Sequence, residues 1–217
     1  MKKGTVVKIF EILREQYGTE ELVELKYVNV YTLLVSVILS AQTTDRGVNR
    51  ATEELFRIVQ TPGDMLLLGE NNLKKYIKTI NYYNTKAKHI INMSKKIAEN
   101  FNSNVPNNFK DLISLDGVGR KTANVVLNIA FGKSSIAVDT HVFRVSNRLG
   151  LVNAKTVFDT ERQLLEIVPK KYVKFVNHYL VMFGRYKCKA IGPKCDGCIL
   201  RTFCNSTGGN LSKSLNL

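Results

Sequence analysis

All four cysteines of the 217-residue chain stand between positions 188 and 204, spaced Cys188-x6-Cys195-x2-Cys198-x5-Cys204. Thiols gathered at such intervals form a metal-ligation pattern, and four thiolates suit either a structural zinc ion or an iron–sulfur cluster. Cations surround them: Lys189 and Lys194 lie between the first two cysteines, with Arg185, Lys187 and Arg201 just outside. A basic loop pinned by a metal can meet a phosphate backbone and release counterions, so affinity for such a partner should fall steeply with salt. A second chemical feature is NNFKDLISLDGVGRKTANVVLNIA, residues 107–130. It reads as a short helix, a Gly-Val-Gly turn and a longer helix with Thr122, Val125, Val126, Ile129 and Ala130 inward, a helix–hairpin–helix pattern. Gly117 and Gly119 are expected to take backbone angles closed to other residues and to let amide groups approach a phosphate, beside Arg120. Taken alone, a Gly-x-Gly closes many ordinary connections between helices.

Helices must hold these groups, because apolar residues recur at helical spacing almost everywhere: Val6, Ile9, Phe10, Leu13 and Tyr17 form one stripe, and Ala87, Ile90, Ile91 and Ile97 another. Sustained two-residue alternation is missing, and Pro62, Pro106, Pro169 and Pro193 fall between the stripes, so an all-α fold is expected. The longest apolar run, LLVSVIL at Leu33 to Leu39, is far short of the ~18 residues of a membrane span and predicts a buried helix. The opening MKKGTVVKIFEILREQYG mixes charge into its apolar positions, unlike a signal peptide, which points to the cytosol. With 44% hydrophobic residues the chain can bury a core without disulfides. Its 32 Lys plus Arg against 18 Asp plus Glu leave +14, a surplus that draws it to polyanions. Ser206 to Leu217, rich in Gly, Ser and Asn, is expected to be a disordered tail.

The string LDGVGRKTANVVLN, followed by AVDTHVFRVSNRLGL, resembles the active-site region of the endonuclease III family, DNA glycosylases with lyase activity that carry an iron–sulfur cluster. The resemblance implies two helical domains with DNA in the cleft between them. One would be a six-helix domain over residues 22–132 that contains the hairpin; the other, residues 1–21 plus 133–205, would carry the cluster. It implies Lys121 as the amine nucleophile and Asp139, eighteen residues on, as the catalytic carboxylate. It implies a 4Fe-4S cluster on Cys188, Cys195, Cys198 and Cys204, with Lys189 and Lys194 toward DNA. LLVSVILSAQTTDRGVNRAT resembles the family segment with a DNA-inserting glutamine, here Gln42, and an acidic residue, here Asp45. Asp45 and His141 are secondary candidates, and no catalytic step is assigned to His141. The carbonyls of Ile113, Leu115 and Val118 would hold a monovalent cation. The partner implied is double-stranded DNA containing damaged pyrimidines or abasic sites, served by a monomer in the cytoplasm near the nucleoid, with no membrane role.

The chemistry explains these residue types. Breaking an N-glycosidic bond builds positive charge on the sugar, which a carboxylate stabilises while an amine attacks C1′. The Schiff base then acidifies the C2′ proton and allows β-elimination of the 3′ phosphate. An ordinary lysine is almost wholly protonated at neutral pH. Partial burial, the positive end of its helix and Arg120 are therefore expected to favour the neutral form of Lys121. Asp139, just ahead of the stripe Val142, Val145 and Leu149, also suits a helix N-cap. Read without the resemblance, Gln42 would end a helix and Asp45 would cap one.

Two departures from the family pattern stand out. YIKTINYYNTKA places Tyr82 where an apolar wedge, usually Leu, is found, and an aromatic can still stack between bases. Asp116 replaces a proline in the hairpin and puts an anion beside the phosphate-binding turn, which should weaken DNA binding modestly. Two other readings remain: a relative with another base specificity and glycosylase activity alone, or a catalytically silent DNA-binding protein.

Overall fold

The computed structural model describes residues 1–19 and 24–206, and among these every regular element is helical. The chain divides into two compact units, Val23–Lys133 and Met1–Leu22 with Ser134–Leu217.

The Val23–Lys133 unit is built around α2 (Val30–Leu39), where every residue from Tyr31 to Leu39 is buried. A helix that is apolar on all sides belongs inside a protein, and its few polar groups have to be paired there. The Ser36 hydroxyl donates to the Lys26 carbonyl at 3.2 Å, and the Tyr31 and Ser94 hydroxyls share a bond of 2.6 Å. Asn29 starts the helix through a reciprocal capping box with Thr32. Around α2 lie α3 (Asp45–Thr52), α4 (Leu55–Ile58), α5 (Pro62–Leu68), α6 (Glu70–Ile77), α7 (Tyr83–Asn100), α8 (Phe109–Ile113) and α9 (Arg120–Phe131). Pro62 opens α5 at the first helical position, where a missing amide hydrogen is harmless. The expected stripe on α7 is inward: Ala87, Ile90 and Ile97 are fully buried and Ile91 is partly so.

The other unit comprises α1 (Lys3–Tyr17), α10 (Thr140–Leu149), α11 (Val157–Ile167), α12 (Lys170–Val173), α13 (Val176–Tyr186) and a 3-10 turn at Arg201–Phe203. Val6, Ile9, Phe10 and Leu13 are fully buried on α1, as their spacing predicts, and Phe10 stacks on Tyr172. The Tyr179 hydroxyl donates to the Gly18 carbonyl at 2.9 Å and ties the end of α1 to α13. Of the expected tail, Ser206 is held by a bond to the Arg148 carbonyl at 3.1 Å, and residues 207–217 lie outside the described residues. No helix among the described residues is long and apolar enough to cross a membrane.

Candidate active site and nucleic-acid interface

In the hairpin, the Asn108 side chain caps α8 by accepting from the Asp111 amide at 3.0 Å. The turn closes through Val118 N to the Leu115 carbonyl at 3.1 Å and through Ala123 N to the Gly119 carbonyl at 3.0 Å. Leu112, Leu115 and Val118 anchor it in the core. The expectation for the two glycines divides. Gly117 has φ +76°, and a Cβ there would stand 3.0 Å from Cβ of His89, so any side chain would be strained and crowded. Gly119 has an ordinary extended conformation (φ −87°, ψ 176°), and a Cβ on it would meet nothing within 4 Å. Its bare backbone therefore answers to no neighbour within the fold and leaves the start of α9 open. No side chain caps that helix. The inward face of α9 also differs from the sequence reading: Ala123, Asn124, Val126 and Leu127 are buried, whereas Thr122, Val125, Ile129 and Ala130 are only partly covered. The buried set is rotated by about one residue, because the face of α9 that is covered is set by its packing against α2 and α8.

Arg120 and Lys121 form the first turn of α9, and both are exposed. The Arg120 guanidinium lies 4.8 Å from the centre of the Phe109 ring, bracing the two hairpin helices. Exposure corrects the expectation that burial helps to neutralise Lys121. Asp116 is exposed in the turn.

Asp139 is the N-cap of α10: its Oδ1 accepts from the amides of His141 and Val142, each at 2.9 Å. Its Oδ2 lies 3.4 Å from Nδ1 of His141, and its side chain is 19% exposed. One oxygen is thus spent on the helix while the other lies beside the imidazole.

Gln42 and Tyr82 sit in two loops of the Val23–Lys133 unit, and both take left-handed backbone conformations, φ 56° and 58°, which non-glycine residues seldom adopt. Tyr82 is 65% exposed. The Asn81 side-chain amide donates to the Gln42 carbonyl at 2.6 Å and links the loops. Gln42 stands beyond the end of α2 rather than closing it, and Thr44, not Asp45, caps α3 by accepting from Gly47 N at 3.2 Å. Asp45 is the first residue of that helix.

The cysteines follow α13. Cys188, Cys198 and Cys204 pack partly against the core, and Cys195 is exposed. Two arginines of α10, which the pattern of the chain did not single out, hold this loop. Arg148 donates to the carbonyls of Lys189 at 2.6 Å and Ala190 at 2.9 Å, and its guanidinium lies 3.6 Å from Sγ of Cys188. Arg144 donates to the carbonyls of Gly184 and Cys188 at 3.1 and 3.2 Å. Burial pushes the Cys204 thiol up, a bond from the Ser206 backbone opposes this, and the charges of Cys188, Cys198 and Cys195 raise it further. Among the described residues no three His, Cys, Asp or Glu side chains are gathered so as to hold a single metal ion. Lys189 and Lys194 are exposed, whereas Arg201 is engaged with Asp196 at 2.9 Å.

Comparison with known proteins places the chain among repair enzymes. Residues 35–170 match the family model of the HhH-GPD superfamily of base excision DNA repair proteins. The endonuclease III of Rickettsia conorii is 51% identical over 205 residues, 94% of this chain and 97% of its own. A trapped endonuclease III–DNA covalent intermediate superposes with a TM-score of 0.86 at 38% identity, covering 95% of this chain and 97% of that one. A thermostable thymine-DNA glycosylase shares the fold, with a TM-score of 0.83 at 23% identity and coverage of 94% and 96%.

Proposed function

We infer the reaction from one premise: the chain belongs to the endonuclease III family of the HhH-GPD superfamily. It is a base-excision-repair DNA glycosylase with AP-lyase activity, and its partner is duplex DNA carrying damaged bases. Its substrates are oxidised pyrimidines of the thymine glycol type and the abasic sites left by their removal. The observation that carries this reading is an exposed lysine, Lys121, in the first turn of a hairpin helix that begins at an uncapped, sterically open glycine.

In this reading the open amides at Gly119 and the start of α9 take a DNA phosphate, which brings the backbone next to Lys121. The lysine amine attacks C1′ of the damaged nucleotide as the base departs. Asp139, oriented through its capping oxygen, uses Oδ2 to stabilise the positive charge that develops on the sugar. The Schiff base then makes the C2′ proton acidic, and its loss expels the 3′ phosphate. Gln42 and Tyr82 fill the gap left by the extruded nucleotide, and the aromatic ring of Tyr82 stacks where the family more often has leucine. Asp45 and His141 are given no step of their own, and the Ile113, Leu115 and Val118 carbonyls take a monovalent cation.

The four cysteines hold a 4Fe-4S cluster. The fit rests on four soft thiols, each close enough to perturb Cys204, with a buried guanidinium beside Cys188 to offset negative charge. When bound, the cluster supplies rigidity to the loop that offers Lys189 and Lys194 to the phosphate backbone. The protein should be brown and release iron, not zinc, on acid treatment.

Borohydride trapping on a thymine glycol duplex tests the mechanism. The parent should form a covalent complex with nicked product, Lys121→Ala should form none, and Asp139→Asn should release base slowly. Cleavage by Lys121→Ala at the parent's rate would sink the assignment.

A further inference from the structure

Lys86 is a lysine that the fold buries. It lies in the first turns of α7 and is only 7% exposed. Its ammonium donates to the carbonyls of Leu39 at 2.8 Å and Ala41 at 2.6 Å, with Thr43 Oγ1 at 3.5 Å. All three partners are neutral oxygens at the end of α2 or in the loop that follows it, and among the described residues Lys86 makes no ion pair. Burial pulls its pKa below that of a free lysine, as expected for a cation taken from water without an anion. A side chain needed only to fill space here would be apolar, because a buried unpaired charge costs stability.

What the charge does instead follows from its neighbours in the chain. The Lys86 backbone amide donates to the Tyr82 carbonyl at 3.0 Å, while its side chain grips Ala41, the residue before Gln42. From the Tyr82 loop, Asn81 reaches back to the Gln42 carbonyl at 2.6 Å. One buried cation and one amide thus connect both loops, and those loops hold two of the few non-glycine left-handed residues, Gln42 and Tyr82. Such conformations are strained for residues with a side chain and persist only where surrounding bonds hold them.

We propose that Lys86, with Asn81, is a positioning residue that locks the Gln42 and Tyr82 loops together, so that the two side chains enter the duplex as a preset pair. This rests on the insertion roles given to Gln42 and Tyr82 above. Lys86 touches no DNA. It acts by removing the need to organise two loops separately at the moment a nucleotide is extruded.

The test is a double-mutant cycle on single-turnover base release from a thymine glycol duplex, using the intact iron-loaded protein. Lys86→Met keeps the stem and removes the charge; Gln42→Ala removes the inserting group. Each single variant should be slower by about ten- to a hundredfold, the scale of lost charge-assisted hydrogen bonds, and the double variant should be no slower than the worse single one. The Kd of Lys86→Met for undamaged duplex should stay within about twofold, since Lys86 itself touches no DNA. Multiplicative losses in the double variant, or Lys86→Met turning over at the parent's rate, would overturn the clamp. If Gln42→Ala alone has no effect, the insertion reading fails, and the cycle separates that result from failure of the clamp. Should Lys86→Met not fold, Asn81→Ala paired with Tyr82→Ala gives the same cycle from the exposed side of the link, read by the same criteria.

Discussion

The hairpin and the cysteine loop both present cations on short irregular backbone, yet they are held by opposite means. In the hairpin, Leu112, Leu115 and Val118 are all buried within seven residues, and the turn leans on His89 through Gly117. In the cysteine loop only Leu200 is fully buried, and Ile191 is 92% exposed. Its backbone carbonyls are gathered instead by Arg144 and Arg148, and its four thiols are those proposed to hold the cluster. Hydrophobic burial is nondirectional and always available in water, so the hairpin can form unaided. A loop with little apolar area must take its order from directional bonds and from metal–thiolate bonds, which makes its order conditional.

The largest effect should come from breaking the metal site. Cys198→Ser, or iron removal with a chelator, should abolish amide protection across residues 187–206 and weaken duplex binding, while protection in residues 23–133 persists. Uniform loss in hydrogen exchange across both units would erase the contrast. Next, Leu112→Ala should cost about 2–5 kcal/mol, the range for truncating a fully buried leucine, and thermal unfolding should show a lowered Tm with the iron absorbance still present below it. Arg148→Met should cost about 1–3 kcal/mol by orphaning the Lys189 and Ala190 carbonyls, with faster iron loss in the presence of chelator as the readout. Gly117→Ala should cost about 1–2 kcal/mol from left-handed strain alone. Gly119→Ala is the smallest: stability should stay within about 0.5 kcal/mol, since nothing in the fold crowds that position, while duplex affinity drops. An equal stability loss at both glycines would mean that Gly119 serves the fold rather than the DNA.

Some of this was legible in the residues alone and some was not. The capping role of Asp139 could be read from one aspartate ahead of an amphipathic stripe, because an N-cap is a local bond between a side chain and amides two and three residues on. The burial of α2 followed from the apolar run LLVSVIL, broken only by Ser36. Lys86 was missed, although a signal existed: it stands four, seven and eleven residues before Ile90, Met93 and Ile97, on the very stripe that faces the core. A charged residue on an apolar stripe is easily assigned to the helix edge, and only its distant acceptors reveal why it can stay inside. Arg144 and Arg148 escaped for the same reason, since their acceptors lie some forty residues away.

Local composition determined the helices, their caps, the hairpin and the grouping of thiols, because each depends on residues within a few positions of one another. Tertiary structure alone decided that Lys121 lies exposed, that Lys86 is buried, that Gly119 faces open space and Gly117 does not, and that two strained loops are tied together. Those outcomes depend on which atoms from remote segments arrive at the same place, and spacing along a chain carries no such distances.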